Sequence, residues 1–267
     1  MSASAGSHAE RSGGSAWAVV GAQELRDLWL GGRGLWLCFG FSVLLSVMSY
    51  LTTTNTALNF REQGESVSLT VQVAIGVGSL LALLAAADTF SGERERGTLE
   101  SLLLTPASRL QLTGGKLLAA LSLWLGAFVI TIPYVWFLGR GVGVTGDALA
   151  TGLLVGTLLA IFLASLGLII SVFAGSNRVS LSVSLFLLLA LFAPTQLPAG
   201  VQKGWGETLL SVFPVTAGEN YVGRIVVDGH AWSEDVSLLI APLVAAAVFA
   251  ALALLVGSRF VRLRRGN

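Results

Sequence analysis

Between Asp88 and Glu100 the chain sets four carboxylates, Asp88, Glu93, Glu95 and Glu100, beside two arginines, Arg94 and Arg96. They stand in "DTFSGERERGTLESLLLTP", Asp88 to Pro106, next to an apolar stripe of Leu99, Leu102 and Leu103. Mixed charge beside leucine suits docking onto another protein, with the charges setting register and the leucines supplying area. A solvated flank of a membrane span would need the arginines but not the carboxylates, which contribute little to topology. Glu93 and Arg96, three apart on a helix, are spaced to pair. Thr105-Pro106 can open a second helix, threonine as cap and proline at the first position. Ser108 and Gln111 have the spacing of a capping box and offer a competing start. The stretch 88–116 therefore reads as a helix, a break and another helix.

Bond-making chemistry finds little support elsewhere. His8 and His230 are far apart and lack ligand spacing. The single Cys38 lies in an apolar run, which excludes a disulfide within the chain and a multi-cysteine metal site. No H-E-x-x-H occurs, and no phosphate-cradling G-x-x-x-x-G-K-[ST]. Gly115-Lys116 runs straight into Leu117 and lacks the earlier glycine. Neither catalysis nor nucleotide binding of that kind is expected of this chain, and no cofactor or metal.

The elements that must carry the charged stretch are hydrophobic. Of 267 residues, 54% are hydrophobic and 12% charged, with a mean hydropathy of +0.78; soluble domains carry about 25% charged residues. Six segments are long enough to cross a hydrocarbon core of about 30 Å as helices. They are 35–51, 67–87, 117–138, 148–174, 179–197 and 236–256, and none contains Asp, Glu, Lys, Arg or His. With the N-terminus inside, 12 of the 16 basic residues fall on the inner side and 4 on the outer. The positive-inside rule thus predicts cytoplasmic termini and a cytoplasmic loop 88–116. A net charge of +1 gives no case for nucleic acid.

Residues 1–14 read as a flexible tail, and 15–34 as an amphipathic interfacial helix. Trp17, Val20, Leu25, Leu28 and Trp29 share one half of the wheel, with Gln23 and Arg26 opposite. Leu30 on the polar side and Glu24 inside the apolar arc break the pattern. Within the six-helix domain 35–256, Trp124 lies deep enough to pack between helices. Gly152, Gly156 and Ala160 recur on one face, with Gly167 further along, and suit internal packing or an interface with a second copy. The external segment 198–235 has short apolar runs that either dip into the membrane or form a folded cap. The basic tail 257–267 suits anionic lipid.

"SGERERGTLESLLLTPASRLQLTGGKLLAAL", Ser91 to Leu121, resembles the signature region of ABC-2 permeases, the membrane subunits of one class of ATP-binding-cassette transporters. "FPVTAGENYVGRIVVDG", Phe213 to Gly229, is similar to the outer loop of the copper-enzyme maturation and gliding-motility branch. The resemblance implies an all-α integral membrane protein of the ABC-2, type V exporter-like, permease fold: six transmembrane helices after an interfacial helix. It implies that residues 88–116 carry a coupling helix against a separate ATPase subunit. Glu93, Arg94, Glu95, Gly97, Thr98, Glu100, Thr105, Pro106 and Arg109 are the contacts carried over. ATP and Mg would be bound by that partner, and a second permease copy or paralogue would complete the assembly. The implied role is ATP-driven export across the inner or plasma membrane. The alternative is a stand-alone carrier or channel, against which stands the absence of ionisable residues from the six spans.

Overall fold

Long uncharged runs bond their backbone internally only as helices, and helices are what form. The computed structural model describes residues 21–53, 60–99, 108–196 and 212–260, among which there is no strand. Residues 21–30 form α1. Then follow α2 (Arg33–Thr53), α3 (Phe60–Arg96), α4 (Arg109–Gly139) and α5 (Thr145–Phe173). The chain continues as α6 (Asn177–Phe192), a 3-10 turn Ala193–Gln196, α7 (Pro214–Val226) and α8 (Ser237–Phe260). Six of these, α2 to α6 and α8, are long and apolar enough to cross a membrane, matching the six expected segments. The protein is a multi-pass membrane protein.

One helix differs from its expected extent. α3 has 37 residues, about 55 Å at 1.5 Å per residue, so it outruns the hydrocarbon core. Asp88 to Arg96 continues the second span without a break, because Glu and Arg are good helix formers and nothing before Gly97 stops them. Gly97 does, with φ 73°. Its N–H reaches the Arg94 carbonyl at 3.3 Å and that of Thr98 reaches Glu93 at 3.0 Å, the Schellman arrangement in which glycine tolerates the left-handed backbone. Of the two candidate starts for the next helix, α4 begins after Ser108. The Ser108 hydroxyl accepts from the Gln111 N–H at 3.2 Å, and the Gln111 side chain accepts from the Ser108 N–H at 2.9 Å. Thr105 and Pro106 lie outside the described residues.

α3 and α5 form the centre, and Trp124 of α4 is wedged between them. A Cβ at Gly156 would stand 2.1 Å from its ring, and one at Gly78 2.6 Å. Its indole N–H donates to Thr157 Oγ1 at 3.1 Å. Gly152 faces Val71, and Gly167 lies against the Leu83 carbonyl. The small-residue face thus serves packing within the chain. α2 adds Phe41 and Leu45 to a smaller cluster with Ala74 and Leu123. The outward faces of α2, α6 and α8 stay apolar, with Trp36, Phe186 and Ile240 exposed.

α7 is not a surface cap. Gly218 packs on Val155 and Leu159 of α5, while the Val226 carbonyl lies by Gly64 near the start of α3. Val155 is ten residues into α5, about 15 Å from its end. α7 therefore starts deep among the spans and runs outward, as a re-entrant helix does. Its buried face carries Val215, Ala217, Tyr221, Val222 and Ile225.

Gly156→Ala is expected to destabilise the protein by about 1–3 kcal/mol through overpacking against Trp124. Gly146→Ala, where nothing lies within 4 Å, should stabilise slightly or leave the melting temperature in detergent unchanged. Equal melting temperatures for the two variants would contradict the wedge.

Candidate functional site

The charges cluster where α3 ends and α4 begins, hereafter the basic end. Lys116 in α4 is 1% exposed. Its Nζ lies 2.8 Å from Glu24 Oε1 of α1, 2.5 Å from Glu93 Oε1 of α3, and 5.6 Å from the centroid of Phe90. One ammonium thus ties three helices. Glu24 is the residue that broke the apolar arc of α1: it faces inward because its partner is buried there. Next to it, the Trp29 indole donates to Ser122 Oγ at 3.0 Å. Gly126 leaves room for that ring, since a Cβ there would meet it at 2.6 Å. α1 is therefore seated on α4 by one aromatic plug and one ion pair.

The same end of α3 grips the turn between α5 and α6. Arg94 donates to the carbonyls of Ala174 and, at 3.1 Å, Val172, where α5 ends. Glu95 accepts from the Asn177 N–H at 3.0 Å, where α6 starts. A cation at a helix C-terminus and an anion at an N-terminus both suit the backbone dipoles. Below them, Ser171 Oγ accepts from the Phe90 and Ser91 N–H groups, each at 2.9 Å, and Ser180 donates to the Ala87 carbonyl at 2.7 Å. Asp88 pairs with Arg33 of α2 at 2.9 Å and lies 3.6 Å from Arg96. Gly92 permits this, for a Cβ there would stand 2.3 Å from Asp88 Oδ1. Asp88 Oδ1 and Glu93 Oε2 remain buried without hydrogen-bond partners.

The nine residues carried over from the resemblance are sorted by this geometry. Glu93, Arg94 and Glu95 bond within the chain as described. Gly97 shapes the turn, Thr98 is exposed, and Arg109 is exposed in the first turn of α4. Glu100, Thr105 and Pro106 lie outside the described residues. The expected Glu93–Arg96 pair gives way to a longer-range one, Glu93 turning to Lys116 and Arg96 to Asp88. Sequence reasoning passed over Lys116 and Glu24 as partners. Their signals were a lysine on the edge of an uncharged run and a carboxylate on an apolar face.

The opposite end holds a second cluster. Asp235, 6% exposed, accepts from Arg224 of α7 and lies 2.8 Å from Nδ1 of His230. His230 thereby helps close the α7–α8 hairpin. Tyr221 donates to the Trp232 carbonyl at 3.2 Å, and the Trp232 indole donates to Asp147 at 3.1 Å. The hydrogen bond with His230, and then Arg224, holds the Asp235 carboxyl below its usual range. Among the described residues no group of His, Cys, Asp and Glu could hold a metal ion.

The profile of a family described as ABC-2 family transporter protein matches residues 37–265. No curated protein matches the chain.

Lys116→Met is expected to cost about 3–5 kcal/mol, because it strands two carboxylates, and to free α1. Hydrogen exchange of residues 21–30 should rise sharply, and adding Glu24→Gln and Glu93→Gln should recover part of the protection. No change in α1 exchange would refute the tie. Because the Asp235 pKa is lowered, its contribution to stability is present above the ordinary aspartate range of about 4 and disappears as pH falls through the lowered value. Amide protection across residues 228–237, corrected for intrinsic exchange, should hold down to about pH 4 and collapse below it. Asp235→Asn should lack that step.

Proposed function

This chain belongs to the ABC-2 transporter family, and we infer from that premise that it is the membrane-spanning subunit that an ATP-binding-cassette ATPase drives. The basic end faces the cytoplasm of the cell membrane, and residues 91–113 receive the ATPase. A second permease copy or paralogue completes the pathway, and cargo moves outward. The observation that carries this reading is that α3 extends past its apolar run and there bonds to α2, α4 and the α5–α6 turn, and through Lys116 to α1. Force delivered to the segment between Gly97 and Arg109 is passed to all of them at once. Glu93, Arg94 and Glu95 transmit within the subunit, and Thr98 and Arg109 offer the exposed contacts. ATP and Mg belong to the partner.

The stand-alone carrier gains one point from α7, which places Glu219 at a depth the six spans leave uncharged. Copurification separates the two readings. Tagged protein from native membranes should bring down a subunit whose peptides include a phosphate-binding loop. Arg109→Glu should lower its recovery about fivefold or more, equivalent to roughly 1 kcal/mol, with membrane insertion unchanged. Arg140→Gln, at the opposite end, should leave recovery intact. Solute transport by the purified chain alone down an ion gradient would decide for the carrier.

A further inference from the structure

Glu219 is the one charged side chain among the described residues that is neither exposed nor paired. It follows Gly218, whose contacts with Val155 and Leu159 set it about 15 Å from the outer end of α5. The cation nearest on its own helix, Arg224, is already taken by Asp235. The helices packed against α7 offer no replacement at that level. Gly223 of α7 lies beside the amide of Gln72 of α3, so Glu219 stands about one turn deeper. The charged residues flanking that level, Glu65 and Asp88, are each more than two turns away and acidic. On α5 the charge is Asp147 in the first turn. α6 and α8 carry Arg178 and Arg259, both at the basic end.

The surroundings favour positive charge. Among the described residues, this end holds six carboxylates, Glu65, Asp147, Glu219, Asp228, Glu234 and Asp235, against the two arginines Arg140 and Arg224. Arg140 is further engaged with the rings of Trp136 and Phe137. A half-buried, unpaired carboxyl at the depth of the spans, at an end with excess negative charge, is complementary to a cation that brings its own hydrocarbon.

We propose that Glu219 is a cargo-recognition residue for a cationic amphiphile, its carboxylate pairing with the ammonium. This rests on the reading of the chain as a permease. With the site empty, a lone charge in apolar surroundings is costly, which favours the protonated carboxyl; pairing with the ammonium releases that proton to water.

The test uses the full chain in phosphatidylcholine nanodiscs and dicyclohexylcarbodiimide, which modifies protonated carboxyls from the apolar phase. Modification is mapped by peptide mass spectrometry. Glu219 should be labelled, less so as pH rises from about 6 to about 9, and Glu219→Gln should lose the label while keeping its melting temperature. Dodecyltrimethylammonium should cut labelling about threefold or more relative to dodecyl maltoside, a neutral amphiphile. Three results would overturn the proposal. They are no labelling across that pH range, labelling indifferent to the quaternary amine, and labelling that appears only in Lys203→Gln, which would make the cation the chain's own. None of these depends on recovering an ATPase, so failure here leaves the permease reading standing on its separate test.

Discussion

A charge moved from water into hydrocarbon costs several kcal/mol unless something answers it, and the placement of ionisable groups in this chain follows from that cost. The middles of the six spans are bare of charge, so the charges gather at their ends. There the inward-facing ones are answered within the chain. Lys116, all but inaccessible, has two carboxylates. Arg94 and Glu95 have the two dipole ends of the α5–α6 turn. Such pairs add little net stability over an apolar substitute, but they specify which helix ends must stay together.

That specification gives the basic end its mechanical character. α3 is continuous from the opposite end of the bundle, near Gly64, to Arg96, and its last turns bond to α2, α4 and the α5–α6 turn. A displacement there cannot be absorbed locally, because the helix interior below is tightly packed: Gly78, Gly156 and Gly167 allow contacts that a single methyl would disturb. Close-packed interiors transmit strain. The Schellman turn at Gly97 marks where the rigid lever stops.

Much of this was legible in the sequence. Runs free of charge announced the spans, and small residues four apart announced the α5 face. The Ser108–Gln111 spacing marked the start of α4 among two candidates. What failed to show was tertiary pairing. The Glu93–Arg96 spacing allowed a local ion pair worth only about 0.2–0.5 kcal/mol, and a buried lysine from another helix outweighed it. Glu24 looked like an error in an amphipathic pattern because its partner lay 92 residues away. The re-entry of α7 was left open for a similar reason. Thirteen residues are too few to span, and only the packing of Gly218 on Val155 distinguishes a helix that dips from one that caps.

The two ends of the molecule thus treat charge in opposite ways, and the difference bears on what moves. At the basic end, paired charges hold helices in register, and an added ligand there would have to displace an existing partner. In α7, the carboxyl of Glu219 has no internal partner to displace, so the full interaction with an incoming cation is available for binding. A site that must load and release cargo gains from such weak internal competition, while a lever must not slip. Because α7 packs on both α3 and α5, the same helices that the basic end holds together pack against the helix that carries Glu219. A tilt of α3 against α5 therefore alters the surroundings of that carboxyl without breaking any pair at the lever.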